Sequence, residues 1–357
     1  MTETLPTRLA ALVATVQPLD DAAMTAARLR QDQLTKPRGS LGRLEALAIQ
    51  LAGITGQPLP RFPNKAVLVF AADHGVAQEG VSAYPQDVTT QMVLNFLNGG
   101  AAINVLARRA GARVVVADFG VATELPSHAE LRVRRIRGGT SSFARGPAMA
   151  RAEAVVCLEA GAALLADEAE RGLDLVATGD MGIGNTTASS AIVAAITGAP
   201  VAQVTGFGTG IDAASWARKV EIIQQSLTAL QPNPADPIDV LAKVGGFEIA
   251  GLSGAIIAAA GRRIPVVIDG FISGAAALVA AELCPAVKPY LIAAHTSVEI
   301  GHRVVLERLG LTPLLNLDLR LGEGTGAAMA MHLVDDAVAL LAEMATFQSA
   351  GVSDREG

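Results

Sequence analysis

Glu323 lies between two glycines in Leu319-Arg320-Leu321-Gly322-Glu323-Gly324-Thr325-Gly326, after the apolar run Pro313–Leu319 and before an alanine-rich helical pattern. Flanking glycines let backbone approach a ligand closely, and the helix start behind them offers free N–H groups to an anion. A carboxylate held there can take a proton from a bound base. A second loop, Gly179-Asp180-Met181-Gly182-Ile183-Gly184-Asn185-Thr186-Thr187, also links an apolar run to a helix. It lacks the G-x-G-x-x-G spacing, and no Gly-Lys-Ser/Thr triplet follows, so neither a dinucleotide fingerprint nor a P-loop is present. Its glycines, the polar groups of Asn185 and Thr186 and the helix dipole still make a phosphate cradle. A third loop, Gly206–Asp212, precedes a helix carrying Arg218 and Lys219. The chain has only five lysines, so one placed just behind a glycine loop is a candidate phosphate partner. Each feature also has a plain structural use: a tight turn, a helix cap or a solvated lysine.

Asp73-His74 follows another apolar run and suggests metal or acid–base work. The five histidines form no H-x-x-x-H or H-E-x-x-H pattern and do not cluster with the cysteines, so no metal is expected. His74 and His295 are expected to orient loops through hydrogen bonds. Ser82–Gln91 enters a helix with mixed polar and apolar residues suited to a pocket wall, and Met181 and Phe207 offer soft or flat surface to an aromatic ligand. No G-x-S-x-G element supports a serine hydrolase. The acidic loop with a Thr/Gly cradle used by diphosphate-dependent phosphoribosyltransferases is missing, since Val334-Asp335-Asp336 lies in a helical pattern.

The elements that must hold these loops alternate. Apolar, mostly β-branched runs at Ala66–Ala72, Arg113–Ala117, Leu173–Thr178, Pro265–Ile268, Tyr290–Ala294 and Pro313–Leu319 are separated by segments long enough for helices, such as Arg151–Arg171, Asp212–Leu230 and Val298–Leu309. Continuous apolar runs suit strands covered on both faces, so the pattern predicts an α/β fold with a mainly parallel sheet flanked by helices. Asp73, Asp118, Asp180, Asp269, His295 and Glu323 all follow such runs, where open α/β sheets bind ligands. Residues 1–60 read as helices only (Thr7–Val16, Asp20–Gln33, Ser40–Ile54), and residues 325–346 as one more. The two ends, 1–60 and 325–357, are expected to form a small helical domain beside an α/β domain at 61–324. Residues 346–357 are expected to fray.

With net charge −6 the chain has no basic footprint, which argues against nucleic acid. Cys157 and Cys284 sit in apolar helical surroundings and suit a reducing compartment. No secretory leader and no run of eighteen apolar residues is visible, so a cytoplasmic protein without membrane association is expected.

Taken in order, several segments resemble the nicotinate-nucleotide–dimethylbenzimidazole phosphoribosyltransferases. They are Lys36-Pro37-Arg38-Gly39-Ser40-Leu41-Gly42-Arg43-Leu44-Glu45, Ala72–Val76, Gly80-Val81-Ser82 with Pro85 and Val88-Thr89, and Asn98–Asn104. Met181–Thr187, Ile268-Asp269-Gly270-Phe271, His295–His302 and the Glu323 loop continue the series. The resemblance implies a Rossmann-like sheet, a homodimer, no cofactor, and transfer of a phosphoribosyl group from nicotinate mononucleotide to 5,6-dimethylbenzimidazole. It implies Glu323 as general base, with Asp180, where the family usually has Glu, in support. It places Gly182, Gly184, Asn185, Thr186, Gly208, Lys219, Ser297 and Gly324 in the nucleotide-phosphate region, and Ser82, Gln91 and Met181 against the benzimidazole. The same loops would also fit another acceptor base with this donor, or a binder without catalysis.

Overall fold

The computed structural model describes residues 5–208 and 210–353. Six parallel strands form one sheet: β1 (Lys65–Ala72), β2 (Ala112–Gly120), β3 (Leu131–Val133), β4 (Leu175–Met181), β5 (Val266–Ile268) and β6 (Leu291–Ala293). Their spatial order is β3-β2-β1-β4-β5-β6, the doubly wound arrangement, with its switch point between β1 and β4. All eight residues of β1 are buried, and the two-residue period of a strand explains why. Ala66, Leu68, Phe70 and Ala72 pack with helices Arg151–Glu170 and Phe247–Gly261 on one face. Val67, Val69 and Ala71 pack with Arg43–Thr55, Ala102–Ala110 and Thr325–Glu343 on the other.

The abundance of small residues has a direct use between Arg151–Glu170 and Phe247–Gly261. A Cβ at Gly161 would stand 1.8 Å from the Gly251 carbonyl oxygen, and one at Gly254 only 1.9 Å from that of Leu158. These helices meet backbone to backbone, which no larger side chain allows.

Two strand assignments differ from the sequence pattern. Pro313–Leu319 is not a strand: it lies beside the end of β6 but forms a single bridge, Leu315 to His295. Pro313 has no N–H to give to a ladder, and Asp318 takes φ 53°, which ends any extended run. Leu131–Val133, which the pattern passed over, is the edge strand beside β2.

At the N-terminal end, Thr7–Ala14, Asp21–Gln33 and Arg43–Thr55 are helical, and Asp20 caps the second through the Ala23 N–H. The second helix and the end of Thr325–Glu343 meet: the Arg30 guanidinium donates to the Leu341 and Ala342 carbonyls, and the Thr35 N–H donates to the Ala345 carbonyl. Lys65 at the start of β1 pairs with Asp335. Thr325–Glu343 is long and apolar enough to cross a membrane by length and composition, yet 56% of that window is buried inside the protein. Its Ala327, Ala328 and Met331 lie in the core beneath the sheet. Thr346 caps a short helix, Phe347–Ala350; residues 354–357 of the segment expected to fray lie outside the described residues.

Candidate active site

Helix starts and strand exits converge on a cleft of about 470 Å³ at the carboxyl ends of β4, β5 and β6. Its walls include Asp180, Met181, Gly182, Asn185, Thr186, Gly208, Ser297 and Glu323. This size suits a small-molecule site.

Glu323 is only 4% exposed and sits at φ 62°, between Gly322 at 81° and Gly324 at 89°. Three consecutive left-handed residues make a sharp turn whose outer members must be glycine. The Glu323 N–H donates to the Asp180 carbonyl at 3.2 Å, tying the turn to the end of β4. The Ile103 N–H approaches Glu323 Oε2 at 3.4 Å. Burial raises its carboxyl to about 7, with Asp269 adding to the rise and the Ile103 N–H opposing it. A proton acceptor near neutrality therefore faces the cleft.

Asp269 fixes the turn from below. It accepts from the Gly324 N–H at 3.2 Å and the Ala327 N–H at 2.9 Å, so it satisfies the open start of helix Thr325–Glu343. Burial pushes its carboxyl up, to about 6, against the opposing pull of His295. Asp180 is held well above the usual carboxylate range by burial first, then by Asp269, Glu248 and Glu323. One of its oxygens takes a hydrogen bond from Asn185 Nδ2 at 3.0 Å, and Oδ1 has no protein partner.

At the other end of the cleft, Lys219 is fully buried, and its Nζ donates to Thr186 Oγ1 at 2.9 Å. Burial lowers its ammonium to about 8, with Glu299 pulling the other way. The Gly208 backbone runs beside it: a Cβ there would lie 3.3 Å from Lys219 Nζ. Arg320 donates to the Gly208 carbonyl at 3.0 Å. Ser297 is fixed by its N–H, which donates to His302 Nδ1 at 3.0 Å. Burial, with His295 adding to it, depresses His302 to about 3, so its ring is a neutral acceptor. The cleft thus has an acidic floor at one end and a buried cation beside glycine backbone and hydroxyls at the other.

A family model described as phosphoribosyltransferase matches residues 16–352. The chain is 63% identical over 347 residues to the nicotinate-nucleotide–dimethylbenzimidazole phosphoribosyltransferase of Roseiflexus sp. strain RS-1, covering 97% of this chain and 98% of that one. It belongs to that family. The family's protein from Chloroflexus aggregans is 62% identical, with coverage of 96% and 97%. The crystal structure of the Thermus thermophilus member matches with a TM-score of 0.90 at 48% identity, over 94% of this chain and 100% of that one.

Set against the family pattern, the cleft brings most of the expected residues together. Asp180, Gly182, Asn185, Thr186, Gly208, Ser297 and Glu323 line it, as does Met181. Lys219 reaches it through Thr186, Gly184 starts helix Asn185–Thr197, and Gly324 serves the Glu323 turn through Asp269. Ser82 and Gln91 do not line it. Ser82 Oγ accepts from the Tyr84 N–H at 3.2 Å, and Gln91 is exposed. Val88 and Met92, one turn apart on helix Asp87–Leu97, face the cleft instead, with Tyr84. Phe207 stacks on Trp216, with centroids 5.9 Å apart, and stays outside the lining. His74 is set deeper, with Nε2 2.6 Å from Glu248 Oε1.

Sequence reasoning gave no role to Glu248, Glu299 or Arg320, and none to Asp269 beyond its place at a strand exit. The spacing of Val88 and Met92 was a usable signal; the single acid of the apolar helix Phe247–Gly261, Glu248, was not.

Proposed function

We propose that this cleft passes the phosphoribosyl group of nicotinate mononucleotide to 5,6-dimethylbenzimidazole with inversion, giving α-ribazole 5′-phosphate and nicotinate for the nucleotide loop of cobalamin. The observation that carries the catalytic assignment is the Glu323 carboxyl, buried, near neutral in its titration and pinned on a glycine turn at the cleft wall. In the donor, the C1′–N bond to the cationic pyridinium breaks and its electron pair stays on the ring nitrogen. Nicotinate therefore leaves with a neutral ring and needs no strong acid. A ring nitrogen of the acceptor forms the new C1′–N bond, and the acceptor's N–H proton goes to Glu323. Cationic charge developing on the sugar is stabilised by the acidic floor that Glu323 shares with Asp269. Lys219, Thr186 and the glycine backbone of the second and third loops take the phosphate. Asp180 supports the acidic floor beside Glu323, and Met181, Val88 and Met92 give the aromatic acceptor an apolar wall.

The enzyme is further proposed to act as a cytoplasmic homodimer. Exposed Val298, Ile300, Leu317 and Leu321, on the segments leading to the cleft, suit a covered surface. Light scattering giving a monomer mass would remove that assignment.

The deciding experiment gives purified protein nicotinate mononucleotide with a panel of bases and reads products by mass spectrometry. Consumption of dimethylbenzimidazole with release of nicotinate and formation of a ribotide is expected. Nicotinate release without a ribotide would make the protein a hydrolase. A purine or phenol consumed in preference would change the acceptor.

A further inference from the structure

Glu299, in the segment between β6 and helix Gly301–Leu309, is a cleft residue to which the transfer chemistry assigns no task. It is 7% exposed, and its Oε2 is buried without a hydrogen-bond partner. The carboxylate presses on the third glycine loop: a Cβ at Gly206 would lie 2.1 Å from Oε2. It also accepts from the Gly208 backbone N–H. The same loop also passes Lys219 Nζ, at Gly208, where Thr186 Oγ1 is the ammonium's hydrogen-bond partner. Among the described residues no carboxylate oxygen lies within ion-pair distance of Lys219. The two charges therefore feel each other across glycine backbone without closing into a bridge.

From this geometry we infer that Glu299 is a positioning residue for the donor's phosphate: it fastens the Gly206–Gly208 backbone and keeps the Lys219 ammonium charged, without touching the donor itself. The role rests on the reading of the cleft as the phosphoribosyl-transfer site. A direct salt bridge would occupy the ammonium that the phosphate needs. No carboxylate at all would leave a buried amine that sheds its proton, because burial disfavours the charged form. A carboxylate held one backbone strand away avoids both outcomes. The other groups facing Glu299 are compatible with its ionisation. Burial raises its carboxyl, while Lys219 from helix Ala213–Leu230 and Arg320 from the Glu323 loop pull it down. Ser297 Oγ accepts the Glu299 N–H at 3.3 Å, and His302 behind it is neutral.

The sign of the pH effect follows. Lys219 titrates at about 8, so donor capture by the free enzyme falls as pH rises through that value. Removing the Glu299 charge lowers Lys219 further, so the fall must begin at lower pH. The test records kcat/KM for nicotinate mononucleotide between about pH 6 and 10 in wild type, Glu299→Gln, Lys219→Arg and the double variant. In Glu299→Gln the alkaline limb moves to lower pH. Donor KM at pH 8 rises about 5-fold, as a one-unit fall in the lysine's pKa from about 8 requires, while kcat and the acceptor's KM stay within about 2-fold. Arginine holds its charge throughout, so Lys219→Arg loses the limb, and adding Glu299→Gln then shifts nothing. Glu299→Asp, which keeps the charge, retains the wild-type limb even where its rate drops.

An equal loss at every pH, or a limb that does not move, would overturn the role. A reading independent of turnover comes from following the lysine side chains by NMR during a pH titration. A Lys219 resonance titrating at lower pH in Glu299→Gln supports the coupling, and an unchanged one overturns it. A wild type that fails to turn over nicotinate mononucleotide, with the NMR shift present, would sink the transferase reading and the donor-phosphate role with it.

Discussion

Gly179 and Glu323 touch through their backbones: a Cβ on Gly179 would stand 2.4 Å from the Glu323 carbonyl oxygen and 2.9 Å from the Gly324 nitrogen. Gly179 is an interior residue of β4, opposite Val69 of β1, so it cannot retreat without breaking the sheet. The Glu323 turn must yield instead. Gly179→Ala is expected to cost about 1–3 kcal/mol of stability by overpacking and to lower kcat at least ~10-fold, because misplacing a reacting group by a fraction of an ångström is enough. Thermal unfolding and steady-state kinetics check both. A folded variant with wild-type kcat would mean that this contact does not set the position of the base.

Glu323→Gln keeps the shape and an oxygen that accepts from the Ile103 N–H, and removes only the proton acceptor. Turnover is expected to fall by about 10²–10⁴, the usual contribution of a general base, while the affinity for nicotinate mononucleotide stays. In the wild type, activity is expected to rise with pH through about 7 as the carboxyl ionises. A wild-type rate in the variant would discard Glu323 as the base.

The same substitution makes a stability test. Below the ordinary glutamate value of 4.5 the carboxyl is protonated in folded and unfolded chains alike, and contributes nothing to pH dependence. As pH rises toward 7 the unfolded chain gives up the proton and the folded one holds it, so wild-type stability declines across that window. Glu323→Gln has no such decline. It should be more stable than wild type at pH 8, by on the order of 1–3 kcal/mol, and equal to it near pH 4. Equal melting temperatures at pH 8 would show that the site does not strain this carboxylate.

Much of this arrangement was legible in the sequence, because apolar runs ending in glycine and acid are what a doubly wound sheet writes into its strand exits. Asp180 was found that way, Glu323 through the glycines on either side of it, and Lys219 through its place behind a glycine loop. What escaped was set by tertiary packing. Glu248 lies in a helix, Phe247–Gly261, whose alanines and isoleucines gave no hint that its acid meets His74. The edge strand Leu131–Val133 is too short to show a period, and Arg132 sits in its middle. Pro313–Leu319 looked like a strand because side-chain polarity says nothing of the missing proline N–H or the left-handed Asp318. In the segment Lys36–Glu45, the pattern was visible but its purpose was not: Lys36 Nζ and the Leu41 N–H both bond Glu45 Oε1, at 2.8 and 3.0 Å, closing the loop on itself.

Asp180 separates charge from hydrogen bonding in the floor of the cleft. Its carboxyl is buried beside Asp269, Glu248 and Glu323, and that environment holds it well above the usual carboxylate range, which favours the neutral acid. A protonated acid has one oxygen to accept and one O–H to donate. Asn185 Nδ2 supplies the accepted bond, which leaves the O–H on the unpartnered Oδ1 side. Asparagine reproduces both groups: its carbonyl can face Asn185 and its amide can take the place of the O–H. Asp180→Asn is therefore expected to fold with stability within about 1 kcal/mol of wild type and to keep kcat/KM within roughly 3-fold, about 0.7 kcal/mol of barrier. Asp180→Ala leaves the Asn185 amide without its partner and should lose about 10- to 100-fold, the cost of an unmade buried hydrogen bond. Steady-state rates for the two variants decide the matter. A loss beyond about 100-fold in Asp180→Asn would mean that the carboxylate works ionised, as a charge facing the cationic sugar.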